Sequence, residues 1–138
     1  MSTVHVKWIE SKLMVGVDSN GHAIAICNSQ DREPAWIGIK PAEMLLLSAA
    51  SCSLYDVVEI LEKQHEPLIG VEVACSGEKE AEPIYRFKSI HLHYIAKGHI
   101  SEDRLARAIQ LSVDKYCTVI NTIKGCAKVT FDYEIVNP

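Results

Sequence analysis

The run Lys40-Pro-Ala-Glu-Met-Leu-Leu-Leu-Ser-Ala-Ala-Ser-Cys-Ser-Leu-Tyr-Asp-Val-Val-Glu-Ile-Leu61 decides the fold. Pro41 suits the first turn of a helix, where its missing N–H leaves no bond unmade. Pro67 disfavours helical backbone in the residue before it. The spacing therefore predicts a helix from Pro41 to about Gln64. From Met44 to Tyr55 every residue is apolar or small, and polar positions begin only at Asp56, Glu59, Glu62 and Lys63. A surface helix would show a polar stripe along its length. The first three turns are therefore expected to be buried on nearly all sides.

The flanking segments read as strands. Upstream, Val4, Val6 and Trp8 alternate with His5 and Lys7, the period of a half-buried strand. Leu13 to Val17 and Ala23 to Cys27 follow, joined by the turn Asp18-Ser-Asn-Gly21. Residues 28 to 40 are polar, contain Pro34 and Gly38, and read as a loop. Downstream, Val71, Val73 and Cys75 alternate with polar or small residues, and Gly77 to Pro83 reads as a charged turn or loop. Ile90, Leu92, Tyr94 and Ala96 mark the next strand, which Gly98 ends. Ser101 is a good N-cap, with Glu102 and Asp103 favouring the positive end of the helix dipole. Leu105, Ala108, Ile109, Ser112, Val113 and Tyr116 then share one face. That helix either continues through Ile120 and Ile123 to Lys124 or breaks near Cys117. Ala127 to Ile135 alternates cleanly as a last strand.

The order β-β-β-α-β-β-α-β predicts an α+β fold with an antiparallel sheet, in a single domain spanning residues 1–138. So few elements can cover only one face of the helix at 44–55. The other face calls for a second subunit, most simply in a homodimer.

Composition excludes several function classes. The net charge of −4 provides no basic field for nucleic acid. No uninterrupted apolar run approaches the ~20 residues of a membrane span. The start, Met1-Ser-Thr-Val-His-Val-Lys-Trp, passes directly into a strand pattern, unlike a signal peptide. A cytoplasmic protein is the expectation, and five cysteines, an odd number, argue against a secreted disulfide framework. No Cys-x-x-Cys pair suggests zinc or a thioredoxin motif, and neither metal nor cofactor is expected.

The cysteines and histidines carry the remaining chemistry. Cys52, in the apolar helix, reads either as a small core hydrophobe or as a reactive thiol supported by a nearby cation. Cys117 sits at the possible helix break. A helix starting just after it would lower its pKa, whereas a continuous helix makes it an ordinary helical residue. Cys27, Cys75 and Cys126 fall in or beside strands and read as packing residues. His91 and His93 share a strand face without an evident third ligand and read as solvated, as do Asp56 and Glu59.

Taken together, the run from Lys40 to Leu61 resembles the first-cysteine helix of the OsmC/organic-hydroperoxide-resistance (Ohr) family. The stretch from Leu105 to Ser-Val-Asp-Lys-Tyr-Cys117 is similar to its second-cysteine region. Val-Lys-Trp near the start, the Pro-x-Glu-Met helix entry and Asp-Val-Val after the first cysteine are most similar to the YhfA-like branch. The resemblance implies an intertwined homodimer with buried central helices. It also implies a thiol peroxidase that reduces organic hydroperoxides, with Cys52 as the attacking thiolate and Cys117 as the resolving thiol. A dithiol donor such as a lipoyl protein would complete the cycle. Leu47, Leu54 and Met44 would suit an alkyl chain. The chain departs from the family where an arginine and a glutamate support the thiolate. The glutamate position, ten residues before Cys52, is Ala42. Glu43 lies one residue along, turned about 100°. Arg32 and Arg86 are the candidate cations. The departure leaves a second expectation open: a non-peroxidase dimer acting in redox sensing or small-molecule binding.

Overall fold

The computed structural model describes residues 1–28 and 37–138. Its elements are β1 (His5–Glu10), β2 (Leu13–Val17), β3 (Ala23–Cys27), α1 (Pro41–Lys63), β4 (Leu68–Lys79), β5 (Phe87–Gly98), α2 (Glu102–Leu111), a π turn (Ser112–Tyr116), α3 (Thr118–Ile123) and β6 (Lys128–Val136). The chain falls into two compact units, Met1–Leu45 and Leu46–Pro138.

In the first unit β1, β2 and β3 form an antiparallel meander with His5 opposite Val17 and Leu13 opposite Cys27. Asp18 builds the β2–β3 turn. Its Oδ1 accepts the N–H groups of Asn20 and His22 at 2.9 and 2.8 Å. These bonds and the His22 ring, whose side-chain hydrogen bond contributes most, hold the Asp18 carboxyl below its ordinary range. Most of the expected loop at 28–40 lies outside the described residues, but Ile39 returns to bridge Ile26 in parallel. Among the described residues of this unit only Ile26 and Asn28 are buried, while Val6, Trp8 and Ile24 stay exposed.

The second unit holds a sheet of order β4-β5-β6. The β4–β5 pair is antiparallel and runs on to Lys79, so the residues read as a charged turn from Gly77 begin as strand. The sheet is not antiparallel throughout, because β6 pairs with β5 in parallel, from Ser89 opposite Lys128 to Lys97 opposite Val136. The helical segment from Glu102 to Ile123 carries the chain back to the starting end of β5, which is the crossover a parallel pair requires. Gly98 closes β5 at φ +136, where a Cβ would run into the Pro67 carbonyl.

Ile90, Leu92, Tyr94 and Ala96 point from β5 into the core. There Leu92, Tyr94 and Ala96 meet Ala49, Val57 and Leu61 of α1, Leu105, Ala108 and Ile109 of α2, and Ile120 of α3. Full burial of side chains this size contributes about 1.5–3 kcal/mol each for the larger ones. The buried stripe of α1 is Ala49, Ala50, Ser53, Val57 and Leu61. Its remaining faces are less covered than expected: Leu47 is 53% and Tyr55 70% exposed in the single chain. By length and mean hydropathy (1.6) this helix would satisfy a membrane span, contrary to the reading of its uninterrupted run. Its stripe in the core cluster makes it a core helix of this unit.

Candidate functional site

The second helix breaks where Cys117 stands. α2 is capped by Ser101, whose Oγ accepts the Arg104 N–H at 3.4 Å. It gives way at Ser112 to the π turn, in which the Cys117 N–H donates to the Ser112 carbonyl at 2.8 Å. Cys117 itself is extended (φ −74, ψ 108), and its Sγ accepts the Ile120 N–H at 3.4 Å as the cap of α3. A break exposes carbonyls that need donors. Asn121 Nδ2 donates to Cys117 O at 2.8 Å, and Lys124 Nζ donates to Val113 O and Asp114 O, each at 3.3 Å.

The fold brings Cys117 near Cys52, close enough for the Cys52 thiol to bear on the Cys117 thiol. Cys117 is fully buried and Cys52 half-buried. Burial pushes the Cys117 thiol up to about 12; the Ile120 N–H works against this, and the neighbouring Cys52 thiol adds to it. The start of a helix just after Cys117 was expected to lower its pKa. Here removal from water outweighs the N–H groups of Ile120 and Val119.

Cys52 opens onto a surface cavity of about 510 Å³. From α1, Ser48, Ser51, Tyr55 and Asp56 line it. Tyr116, Thr118 and Val119 line the side formed by the break. Leu54, expected as part of an alkyl-binding wall, lines an adjoining groove with Val58. The wall at Cys52 is therefore aromatic and hydroxylated. Behind it runs a buried network. Asp56 Oδ2 accepts from Ser112 Oγ at 2.9 Å, Ser112 Oγ meets Ser53 Oγ at 2.9 Å, and Ser53 Oγ is bonded to the Tyr94 hydroxyl. Burial pushes Tyr94 up to about 12; its bond to Ser53 opposes this, while Cys117, Cys75 and Asp56 add to it.

Of the proposed supporting residues that the structure describes, neither Arg86 nor Glu43 is among those that line this cavity. Arg86 pairs with Glu80 at 3.0 Å in the β4–β5 connection. Glu43, in the first turn of α1, is exposed and lies 4.0 Å from Lys40. Arg32 lies outside the described residues. Among the described residues that line the cavity none is cationic. Lys115 Nζ lies 5.9 Å from the ring centre of Tyr116, one of the lining residues.

Sequence reasoning set Asp56 aside as solvated and passed over Ser53 and Ser112. The available signal was a hydroxyl on each of two otherwise apolar helix stripes. Burial also raises the Cys75 thiol. His91 and His93 both reach Asp132 Oδ1, at 2.8 and 2.7 Å. The bond to Asp132 leads in raising His93, and the bond from His93 leads in lowering Asp132. Among the described residues no group of three or more metal-ligating side chains is arranged to hold a metal.

Comparison with known proteins agrees with this architecture. A family model for OsmC-like proteins matches residues 31–132. Protein YhfA of Escherichia coli K12 is 37% identical over 133 residues, covering 95% of this chain and 96% of the relative. The crystal structure of a hypothetical protein from Aquifex aeolicus superposes with a TM-score of 0.88 at 25% identity, covering 100% of this chain and 98% of that one. The organic hydroperoxide resistance protein OhrB of Bacillus subtilis shares the fold at a TM-score of 0.68 and 13% identity, covering 97% and 98% of the two chains. On the family match and the identity to YhfA, the chain belongs to the OsmC-like family.

Proposed function

We propose that this protein is a thiol-dependent peroxidase that reduces organic hydroperoxides with Cys52 and Cys117. The observation that carries the reading is the nearness of a cavity-facing thiol to a buried one from a distant segment. The Cys52 thiolate attacks the outer oxygen of the hydroperoxide. The O–O bond breaks, Cys52 becomes a sulfenic acid, and the alkoxide leaves as the alcohol after taking a proton. The Cys117 sulfur then attacks the Cys52 sulfur, forming S–S and releasing water, which carries away the thiol proton. A dithiol such as a lipoyl protein returns both thiols by exchange and becomes a disulfide itself. Organic hydroperoxide resistance proteins of Legionella pneumophila and Bacillus subtilis share this fold, which supports the assignment.

The working form in this reading is a cytoplasmic homodimer. Leu47 and Tyr55 of α1, with the Leu54–Val58 groove beside them, form an apolar surface suited to a second copy.

A second reading has its own observation. The cavity pairs Cys52 with a carboxylate, Asp56, and no described cation lines it. That setting favours a slow redox sensor or small-molecule-binding dimer over a fast peroxidase. Turnover of cumene hydroperoxide and hydrogen peroxide with a dihydrolipoyl donor, against Cys52→Ser, separates the two. Cys52-dependent turnover preferring the organic peroxide supports the first reading. Disulfide formation without turnover supports the second.

A further inference from the structure

Ser112 has no exposed surface, and its hydroxyl and its carbonyl are committed to different segments. Its hydroxyl reaches α1, 2.9 Å from Asp56 Oδ2 and 2.9 Å from Ser53 Oγ. Its carbonyl accepts the Cys117 N–H at 2.8 Å, the bond that defines the π turn. A serine hydroxyl has one proton and an ionised carboxylate has none. With the carboxylate at 2.9 Å nearer than the Ser53 carbonyl at 3.4 Å, the Ser112 proton goes to Asp56; Ser53 then donates to Ser112, and Tyr94 to Ser53. Three hydroxyls thus point one way and end on a carboxylate in the wall of the Cys52 cavity. No buried side-chain polar atom among the described residues is left without a partner, the condition under which such a network rigidifies a core.

The attachment points bracket the cysteines. On α1, Ser53 is the residue after Cys52, and Asp56 is four residues on, on the same helix face. On the other side, Ser112 is the carbonyl partner of Cys117 across a turn type found often at functional sites. An alanine at 112 would pack almost as well and would bury no hydroxyl, so packing alone does not call for serine.

We propose that Ser112 is a positioning residue for the cysteine pair: its hydroxyl locks the turn that carries Cys117 to the helix face that carries Cys52, and so sets the stability of the disulfide between them. The inference rests on the redox reading above. Closing the disulfide removes two electrons and two protons from the thiols. In a dithiol/disulfide buffer the electrons and protons pass to the buffer's disulfide, which becomes its dithiol.

The test titrates the full-length wild type, Ser112→Ala, Ser53→Ala and the double variant against dithiothreitol redox buffers. Mass spectrometry counts the linked Cys52–Cys117 peptide, and the melting of each reduced protein is followed in parallel. Ser112→Ala is expected to make the disulfide about tenfold easier to reduce, raising its potential by about 30 mV. Ser53→Ala should move it the same way by less. The double variant should not exceed Ser112→Ala, because the two act through one bond. A wild type that forms no Cys52–Cys117 disulfide at any potential sinks the redox reading and this inference with it. A wild type that forms it, with Ser112→Ala within about 5 mV (less than a twofold change), overturns the inference alone. So do additive shifts in the double variant. Should Ser112→Ala fail to fold, Asp56→Asn weakens the same bond from the α1 side. An upward shift there supports the proposal, and an unchanged potential overturns it.

Discussion

Asp56 Oδ2 stands 2.9 Å from Ser112 Oγ, which joins the helix of one cysteine to the turn of the other. Asp56→Ala removes the carboxylate and leaves the buried Ser112 hydroxyl only Ser53 to donate to. The expected cost is about 1–3 kcal/mol of folding stability, the penalty of a buried polar group left short of a partner. Asp56→Asn keeps an acceptor oxygen and should cost less. Urea unfolding of the two variants measures both, and an Asp56→Ala midpoint equal to wild type would contradict the network.

With its pKa pushed up to about 12, Cys117 is almost wholly protonated at neutral pH. Thiol attack proceeds through the thiolate. If Cys117 resolves a Cys52 sulfenic acid, disulfide closure should accelerate about tenfold per pH unit between about pH 7 and 9. Stopped-flow trapping of the sulfenic acid with a dimedone-type reagent follows this. A closure rate flat across that range would mean Cys117 is not the resolving thiol.

Alkaline stability follows from the same burial. Cys117 rises from 9.0 and Tyr94 from 10.0, both to about 12. Each folded-state pKa lies above its unfolded value, so the stabilisation is complete below about pH 9 and is lost as pH climbs to 12. Denaturant midpoints should hold between pH 7 and 9 and then fall. Tyr94→Phe should remove part of that decline.

The apolar surface of α1 should be covered in solution. Sedimentation velocity at micromolar concentration is expected to show a species of twice the 15.3 kDa chain mass. Leu47→Glu should shift it to monomer and lower its melting temperature. A compact monomer of wild type at these concentrations would remove the homodimer proposal.

His93 should titrate above 6.5, because the Asp132 carboxylate favours its charged form. The associated stabilisation is present below about pH 6.5 and fades as pH rises through the raised value. In Asp132→Asn the His93 ring resonances should move back toward an ordinary midpoint, readable by NMR. A midpoint indifferent to Asp132 would deny the contact a role in solution.

Strand and helix positions were legible because burial imposes a period of two on β5 and β6 and one of 3.6 on α2. The direction of β6 was not, since parallel and antiparallel strands alternate alike and only the crossover through α2 and α3 distinguishes them. The break at Cys117 remained an open alternative. Its supports, Asn121 and Lys124, lie downstream and read as ordinary polar helix residues. The meeting of Cys52 with Cys117 followed from family resemblance alone, because no local pattern joins residues that the fold brings together from two elements. Asp56 was missed for a related reason: at the start of a charged stripe, a carboxylate that reaches inward to Ser112 looks like one that faces water.

The composition of α1 bears on how the protein is made. The helix is apolar enough to suit a membrane interior, but the residues that cover its stripe, Leu92 to Ala96 and Leu105 to Ile120, are synthesised after it. At a translation rate of about 5–20 residues per second, roughly 30 to 60 further residues take about 2–12 seconds to appear. For that interval the nascent chain presents a greasy segment with nothing to pack on. Slow translation downstream of Leu61 would lengthen that interval and with it the exposure to aggregation.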